Sequence, residues 1–158
     1  MSRKQSVYLI GSLRNEKIPA LGCRLREAGH EVFDDWHGAG PEADDFWQKY
    51  EKQRGRSYAE ALKGHAAKNT FAFDYRHLSR CEACVLVLPA GKSGHLEFGY
   101  MLGTGKKGYV LFEEEPERWD VMYQFAHGVF FDQDDLIASL ASVEIDFIEV
   151  VGAGRFGT

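Results

Sequence analysis

Long hydrophobic runs, an excess of positive charge and an even set of cysteines are all missing from this chain, and each absence removes a class of protein. No apolar stretch approaches the roughly 18 residues of a membrane-spanning helix. The N-terminal Met1-Ser2-Arg3-Lys4-Gln5 leads straight into a strand without the apolar centre of a signal peptide, so a cytoplasmic protein with no membrane partner is expected. A formal net charge of −5 argues against a nucleic-acid backbone as the main partner and leaves a small molecule as the favoured one. Three cysteines, an odd number, suit a reducing compartment rather than a disulfide framework. Cys81 and Cys84 form a C-x-x-C, but it straddles a helix-to-strand junction and has no second cysteine pair, so two small apolar groups are expected rather than a metal or redox site.

What is present is the material of a folded domain. With 158 residues, 44% of them apolar and 13% aromatic, one globular unit spanning 1–158 is expected. Ser6-Val7-Tyr8-Leu9-Ile10 reads as a first strand ending at Gly11-Ser12. Apolar or small residues at Ile18, Leu21, Gly22, Leu25 and Ala28 recur at helical spacing, and Gly29 stops that helix before a strand at Glu31 to Phe33. Asp34 to Pro41 reads as an exposed loop, and Ala43 to about Leu78 as mostly helical in two pieces, with a break near Gly55 and a further one at Gly64. Phe46, Trp47, Tyr50 and Tyr58 within it form either a lid over a pocket or a core or subunit contact.

Ala83 to Leu88, with its uninterrupted Val85-Leu86-Val87-Leu88, has the pattern of a strand covered on both faces. A helix from about Leu96 to Thr104 follows, then a strand at Gly108 to Phe112, an acidic turn at Glu113 to Glu117, a short strand at Gly128 to Phe131 and a helix from Asp132 to Val143. Residues 144–158 are either a frayed tail or an arm laid on a neighbouring subunit. Strands alternating with helices at this spacing imply a single α/β domain, a flavodoxin-like parallel sheet of about five strands with helices on both faces.

Such a sheet gathers ligand contacts at the carboxyl ends of its strands. Four polar groups fall there: Gly11-Ser12-Leu13-Arg14, Asp34-Asp35, Ser93 to Glu97, and Asp120. Glu97 is the candidate nucleophile, a carboxylate set at a helix start where free backbone N–H groups would keep it ionised. Asp74 lies between aromatics in Phe71-Ala72-Phe73-Asp74-Tyr75, where loss of water would raise its pKa and suit it to donate a proton. The competing reading is a surface acid paired with Arg76 or Lys68.

The strand end Tyr8-Leu9-Ile10-Gly11-Ser12-Leu13-Arg14, the block from Asp74 to Leu78, and above all Gly94-His95-Leu96-Glu97-Phe98-Gly99-Tyr100 with its Gly105-Lys106 exit resemble the nucleoside 2-deoxyribosyltransferase superfamily, which includes the 2'-deoxynucleoside 5'-phosphate N-hydrolases. The resemblance covers roughly residues 6 to 140. It implies that Glu97 attacks the anomeric carbon of a deoxyribose to form a covalent glycosyl intermediate, that Asp74 helps the base depart, and that Tyr8 orients the nucleophile. It implies no cofactor and no metal. Transfer of the sugar to a second base makes a transferase and capture by water a hydrolase, and the motifs leave both open.

Gly11, Ser12 and Arg14 resemble the 5'-phosphate cradle of the hydrolase branch, with Ser93, Gly94 and the adjoining His95 as further substrate contacts. A departure is Gly91, which stands where that branch has a phosphate-binding serine, with Ser93 as its substitute from a shifted turn; His95, often glycine in relatives, is another and contacts base, phosphate or nothing. In the family the segment matching Trp119 to Tyr123 reaches a neighbouring subunit's pocket, so Asp120 and Met122 are expected at the sugar's 5' end of another protomer's site, in a homodimer or higher oligomer. An acid there would repel a phosphate and favours an unphosphorylated sugar. The remaining alternatives are a hydrolase of a ribonucleotide or modified nucleotide, and a non-catalytic nucleotide-binding module.

Overall fold

In the computed structural model, which describes residues 3–142, every strand but the last splits its side chains between two apolar layers. The strands are β1 (Ser6–Ile10), β2 (Glu31–Phe33), β3 (Ala83–Val87), β4 (Lys107–Leu111) and β5 (Gly128–Phe130). They form one all-parallel sheet in the order β2-β1-β3-β4-β5. Side chains alternate along a strand. Val7 and Leu9 therefore join Val85, Val87 and Leu111 on one face, where helices α1 (Ile18–Glu27) and α6 (Gln133–Ala141) cover them with Ile18, Leu21, Leu25, Leu136 and Leu140. Tyr8 and Ile10 join Cys84, Leu86 and Val110 on the other, under Leu78 of α4 (His65–Arg80) and Phe98 and Met101 of α5 (Lys92–Gly103). The expected flavodoxin-like α/β domain is the observed one. Every residue of β3 is buried, as its unbroken apolar run requires.

Chain reversals follow local chemistry. Gly29 has φ +97°, a left-handed conformation that stops α1 at the position the sequence indicates. Asp132 caps α6, its carboxylate accepting from the backbone N–H groups of Asp134 and Asp135 at 2.8 and 3.2 Å. The region expected as two helical pieces is three: α2 (Ala43–Gln53), α3 (Tyr58–Leu62) and α4, divided near Gly55 and at Gly64. Buried Glu51 holds Arg56 through two hydrogen bonds of 2.6 and 3.0 Å, tying α2 to the turn before α3. Within the loop after β2, residues Asp35–Ala39 form a 3-10 turn rather than a fully exposed link, and Trp36 donates from Nε1 to the Leu9 carbonyl at 2.7 Å.

One boundary bears on the site. Helix α5 starts at Lys92, four residues before the expected Leu96. The apolar pattern misleads there because Leu96 is 76% exposed while Gly94 is buried, its missing side chain letting α5 lie against Ile10 and Leu86. A Cβ at Gly94 would stand 3.2 Å from Ile10 Cγ2 and from Ala90 Cβ. The tail read as an arm, 144–158, falls outside the described residues. Among those described, no helix is long and apolar enough to cross a membrane.

The α6 face is a sensitive test of this packing, since Leu136 is fully buried between α6 and the sheet. Leu136→Ala is expected to lower unfolding free energy by about 2–5 kcal/mol, measured by urea denaturation.

Candidate functional site

The order β2-β1-β3-β4-β5 reverses direction between β1 and β3, so the crevice of an open parallel sheet falls there, at the carboxyl ends of those two strands. Tyr8 of β1 faces the α4 and α5 side and is only 1% exposed. Asp74, half-buried on α4, and Glu97, half-buried in the second turn of α5, both act electrostatically on its phenol. Burial first, then the charges of Glu97 and Asp74, push the Tyr8 hydroxyl far above its ordinary pKa. Tyr8 therefore stays protonated throughout the physiological range.

The two carboxyls form an electrostatically linked pair. Burial raises Asp74 to about 6. Burial and then the charge of Asp74 raise Glu97 to about 7. Asp74 is raised as expected, and Glu97 is raised as well rather than held ionised by the helix start. The physical reason is the helix start: with α5 opening at Lys92, the free N–H groups belong to the first turn, and Glu97 sits one turn further in, where desolvation dominates. Near neutral pH such a pair retains about one proton between its members. Among the described residues no ion pair joins Asp74 to Arg76 or Lys68, which removes the surface-acid reading.

The other sequence-selected residues divide into those left open and those engaged elsewhere. Gly11 brings the β1 end against α1, where a Cβ would meet Ile18 Cδ1 at 2.8 Å. The Ser12 hydroxyl accepts from the Arg14 N–H at 3.1 Å, a local turn, and the Arg14 guanidinium is paired with Asp45 of α2 at 3.0 Å. Both members of that pair are largely exposed, so the guanidinium is easily released to another anion. Asp34 is committed to Arg26 at 2.5 Å and leaves the group of convergent ligand residues. Ser93 and Gly94 lie in the first turn of α5, among the unpaired N–H groups.

His95 is engaged at both ring nitrogens, with the Gly91 carbonyl at 2.8 Å and the Tyr123 hydroxyl at 2.9 Å, and so offers neither to a substrate in this conformation. Asp120 caps the 3-10 turn Val121–Phe125, its carboxylate accepting from the Met122 N–H at 2.8 Å. Met122, Trp119, Val121 and Phe125 are all more than half exposed.

Sequence reasoning missed an aromatic wall beside Tyr8. Phe33 is the register partner of Tyr8 across β1 and β2, its ring centroid 5.1 Å away, and His77 stacks on Phe33 at 3.9 Å. Phe73 closes the group at 5.7 Å from Phe33 and is 43% exposed. Strand adjacency was the available signal, because a parallel pairing of the first two strands sets their third positions, both aromatic, side by side. Of the residues read as lid or core, Phe46, Tyr50 and Tyr58 are exposed, while Trp47 meets Tyr58 edge-on at 6.5 Å. Cys81 and Cys84 are buried in the apolar layer, which pushes their thiols up to about 11 and about 12. A cavity of about 300 Å³ opens on the opposite face of the sheet, where two of its lining residues, Lys17 and Glu113, form an ion pair at 2.5 Å.

The sheet order and the carboxylate pair on its α4 and α5 side define a flavodoxin-like α/β protein with two half-buried carboxyls near the strand switch point. Within that class the chain shares its fold with a 2-deoxyribosyltransferase from Bacillus psychrosaccharolyticus, at a TM-score of 0.56 and 19% identity over 85% of this chain and 95% of that one. It also superposes on the CMP N-glycosidase of Clostridium botulinum, at a TM-score of 0.51 and 16% identity over 86% and 98% of the respective chains. The resemblance read from the motifs thus extends to the fold. No protein-family model matches the chain, and no curated protein matches it by sequence.

Because its folded pKa is raised, Glu97 favours the folded state below its ordinary value of 4.5, and that advantage is lost as pH rises through about 7. Glu97→Gln removes the group that must ionise out of water. The variant is expected to gain on the order of 1–3 kcal/mol over the wild type between pH 5 and pH 8. Urea midpoints measured at both values check it, and an equal difference at the two would contradict the assignment.

Proposed function

We propose that the protein cleaves the N-glycosidic bond of a 2'-deoxynucleoside through a covalent glycosyl-Glu97 intermediate, passing the sugar to another base or to water. The observation that carries this reading is the half-buried pair Asp74 and Glu97 beside the buried Tyr8 phenol. The fold shared with a deoxyribosyltransferase and an N-glycosidase supports it.

In the reactive state the pair's proton rests on Asp74 and Glu97 is ionised. A Glu97 carboxylate oxygen bonds to C1' of the sugar as the C1'–N bond breaks, and the bonding electrons leave with the base, which takes the proton of Asp74. Charge builds at C1' in an oxocarbenium-like transition state. Tyr8, unable to ionise here, donates a hydrogen bond that orients the carboxylate. In the second half an incoming base nitrogen or a water attacks C1', loses its proton to Asp74 and frees Glu97. The base stacks on the wall of Phe73, Phe33 and His77, whose exposed member Phe73 directly precedes the proton donor. Substrate contacts come also from Gly11, Ser12, Ser93 and Gly94 around the switch-point crevice.

Asp120 and Met122 complete the sugar's 5' end in a second copy of the chain, as the exposed apolar residues around them support, making the working unit a cytoplasmic homodimer or larger. Asp120 favours a free 5'-hydroxyl. A second reading, hydrolysis of a nucleoside 5'-monophosphate, rests on Arg14, whose exposed pair with Asp45 frees a guanidinium for phosphate at little cost.

Incubation with deoxynucleosides and nucleoside monophosphates, with and without a free acceptor base, tests the proposal by chromatography of released base. Glu97→Ala is expected to abolish turnover with the fold intact by circular dichroism, and Asp74→Asn to slow it by about 10²–10⁴-fold, as loss of a general acid does. A fully active Glu97→Ala rules out the nucleophile.

Since the reaction needs one proton on the pair, kcat/KM is expected to be bell-shaped, with its maximum between the limbs set at about 6 and about 7. A flat rate from pH 5 to pH 8 would count against the paired mechanism.

A further inference from the structure

His95 stands two residues before Glu97 in the first turn of α5, yet its ring is turned to the chain itself rather than to the site. A carbonyl oxygen only accepts, so the bond to Gly91 at 2.8 Å requires the proton on Nδ1. Nε2 is then the acceptor and the Tyr123 hydroxyl donates to it at 2.9 Å. Tyr123 is fixed at its other end as well. Its half-buried ring packs edge-on to Phe112 at 5.4 Å, against the layer that holds Tyr8 and Phe98. It lies in the 3-10 turn Val121–Phe125, which Asp120 caps and which carries Met122.

The bonds form a continuous link. It runs from Gly91, at the end of the turn after β3, through the imidazole to Tyr123, and along one 3-10 turn to Asp120 and Met122. That turn otherwise stands out from the molecule, with Val121, Met122 and Phe125 exposed by 73%, 58% and 67%. An exposed turn presents its side chains in one orientation only if something fixes it. Phe112 supplies a pivot but no direction, because an apolar contact tolerates rotation; the hydrogen bond to His95 supplies the direction.

We propose that His95 and Tyr123 act together as positioning residues, a latch that holds the Asp120 and Met122 turn at a fixed angle to the body of its own subunit and so sets selectivity at the sugar's 5' end in the second copy's site. The latch touches neither the reacting atoms nor the base. It rests on the functional reading above in one respect, that Asp120 and Met122 meet the 5' end of the sugar.

Kinetics of His95→Ala, Tyr123→Phe, the double variant and His95→Gln on a deoxynucleoside and its 5'-monophosphate test it. Tyr123→Phe removes one oxygen atom and keeps the ring on Phe112, so its fold is secure. Each single variant is expected to raise KM for the preferred substrate by about three- to tenfold, the value of one hydrogen bond, with kcat held within about twofold. The preference between free and phosphorylated substrate should narrow in step. The double variant should be no worse than either single one, since both break the same bond, and His95→Gln, whose amide oxygen can accept from Tyr123, should recover part of the loss.

Unchanged KM in both single variants, additive losses in the double, or a fall in kcat at constant KM would each overturn the proposal. The ¹⁵N shifts of the His95 ring report the latch without any turnover: a protonated Nδ1, and an Nε2 signal that moves in Tyr123→Phe, uphold it, and the opposite tautomer refutes it. A wild-type protein that releases no base from any substrate fails the functional reading and the selectivity role with it, while the ring shifts still decide whether the latch exists.

Discussion

Removing two carboxyl groups from water beside a phenol that cannot ionise is the constraint on which the rest of this structure depends. Asp74 and Glu97 lie on different helices, so their pairing exists only because α4 and α5 are both pressed onto the same face of the sheet. Desolvation is the leading cause of the shift in each group and in Tyr8; the charge of Asp74 comes second for Glu97, and the charges of Glu97 and Asp74 for Tyr8. A pair of that kind disfavours the fold near neutral pH. The apolar layers on the two faces of the sheet, each fed by β1 and β3, supply the stability that offsets it.

The sheet order explains why the chemistry gathers on one side. With β1 and β3 adjacent and their following helices on opposite faces, α1 occupies the side away from Glu97 and α5 the near side. Gly94 is the small residue that lets α5 approach Ile10 and Leu86, and through it the first turn of the helix sits over the β1 end. The same approach carries Glu97 inward, out of reach of the helix's own free N–H groups. A carboxylate in the first turn would be held ionised; one turn further, burial raises its pKa instead.

Much of the fold was legible because its signals are local. The apolar run of β3 and the stop at Gly29 each act over a few residues, and both stand where the sequence puts them. The start of α5 was not legible, since a buried glycine carries no apolar mark and an exposed leucine carries a false one. Of the site, Tyr8, Asp74 and Glu97 were picked out by their motifs, and the electrostatic linkage of the three is visible only in the folded chain. The engagement of Asp34 by Arg26, of Arg14 by Asp45 and of His95 by Tyr123 depends on which helix faces which loop, and no spacing reports that.

The sequence by itself determined the alternation of strands and helices, the burial of β3 on both faces and the identity of the chemically able residues, because these follow from side-chain type and short-range periodicity. Only the tertiary structure decided that burial raises both carboxyls, which polar residues were already engaged, and that Phe33, Phe73 and His77 stand as a wall beside Tyr8. The reason is that a pKa, an ion pair and a stacking surface are properties of surroundings, and these surroundings are assembled from residues far apart in the chain.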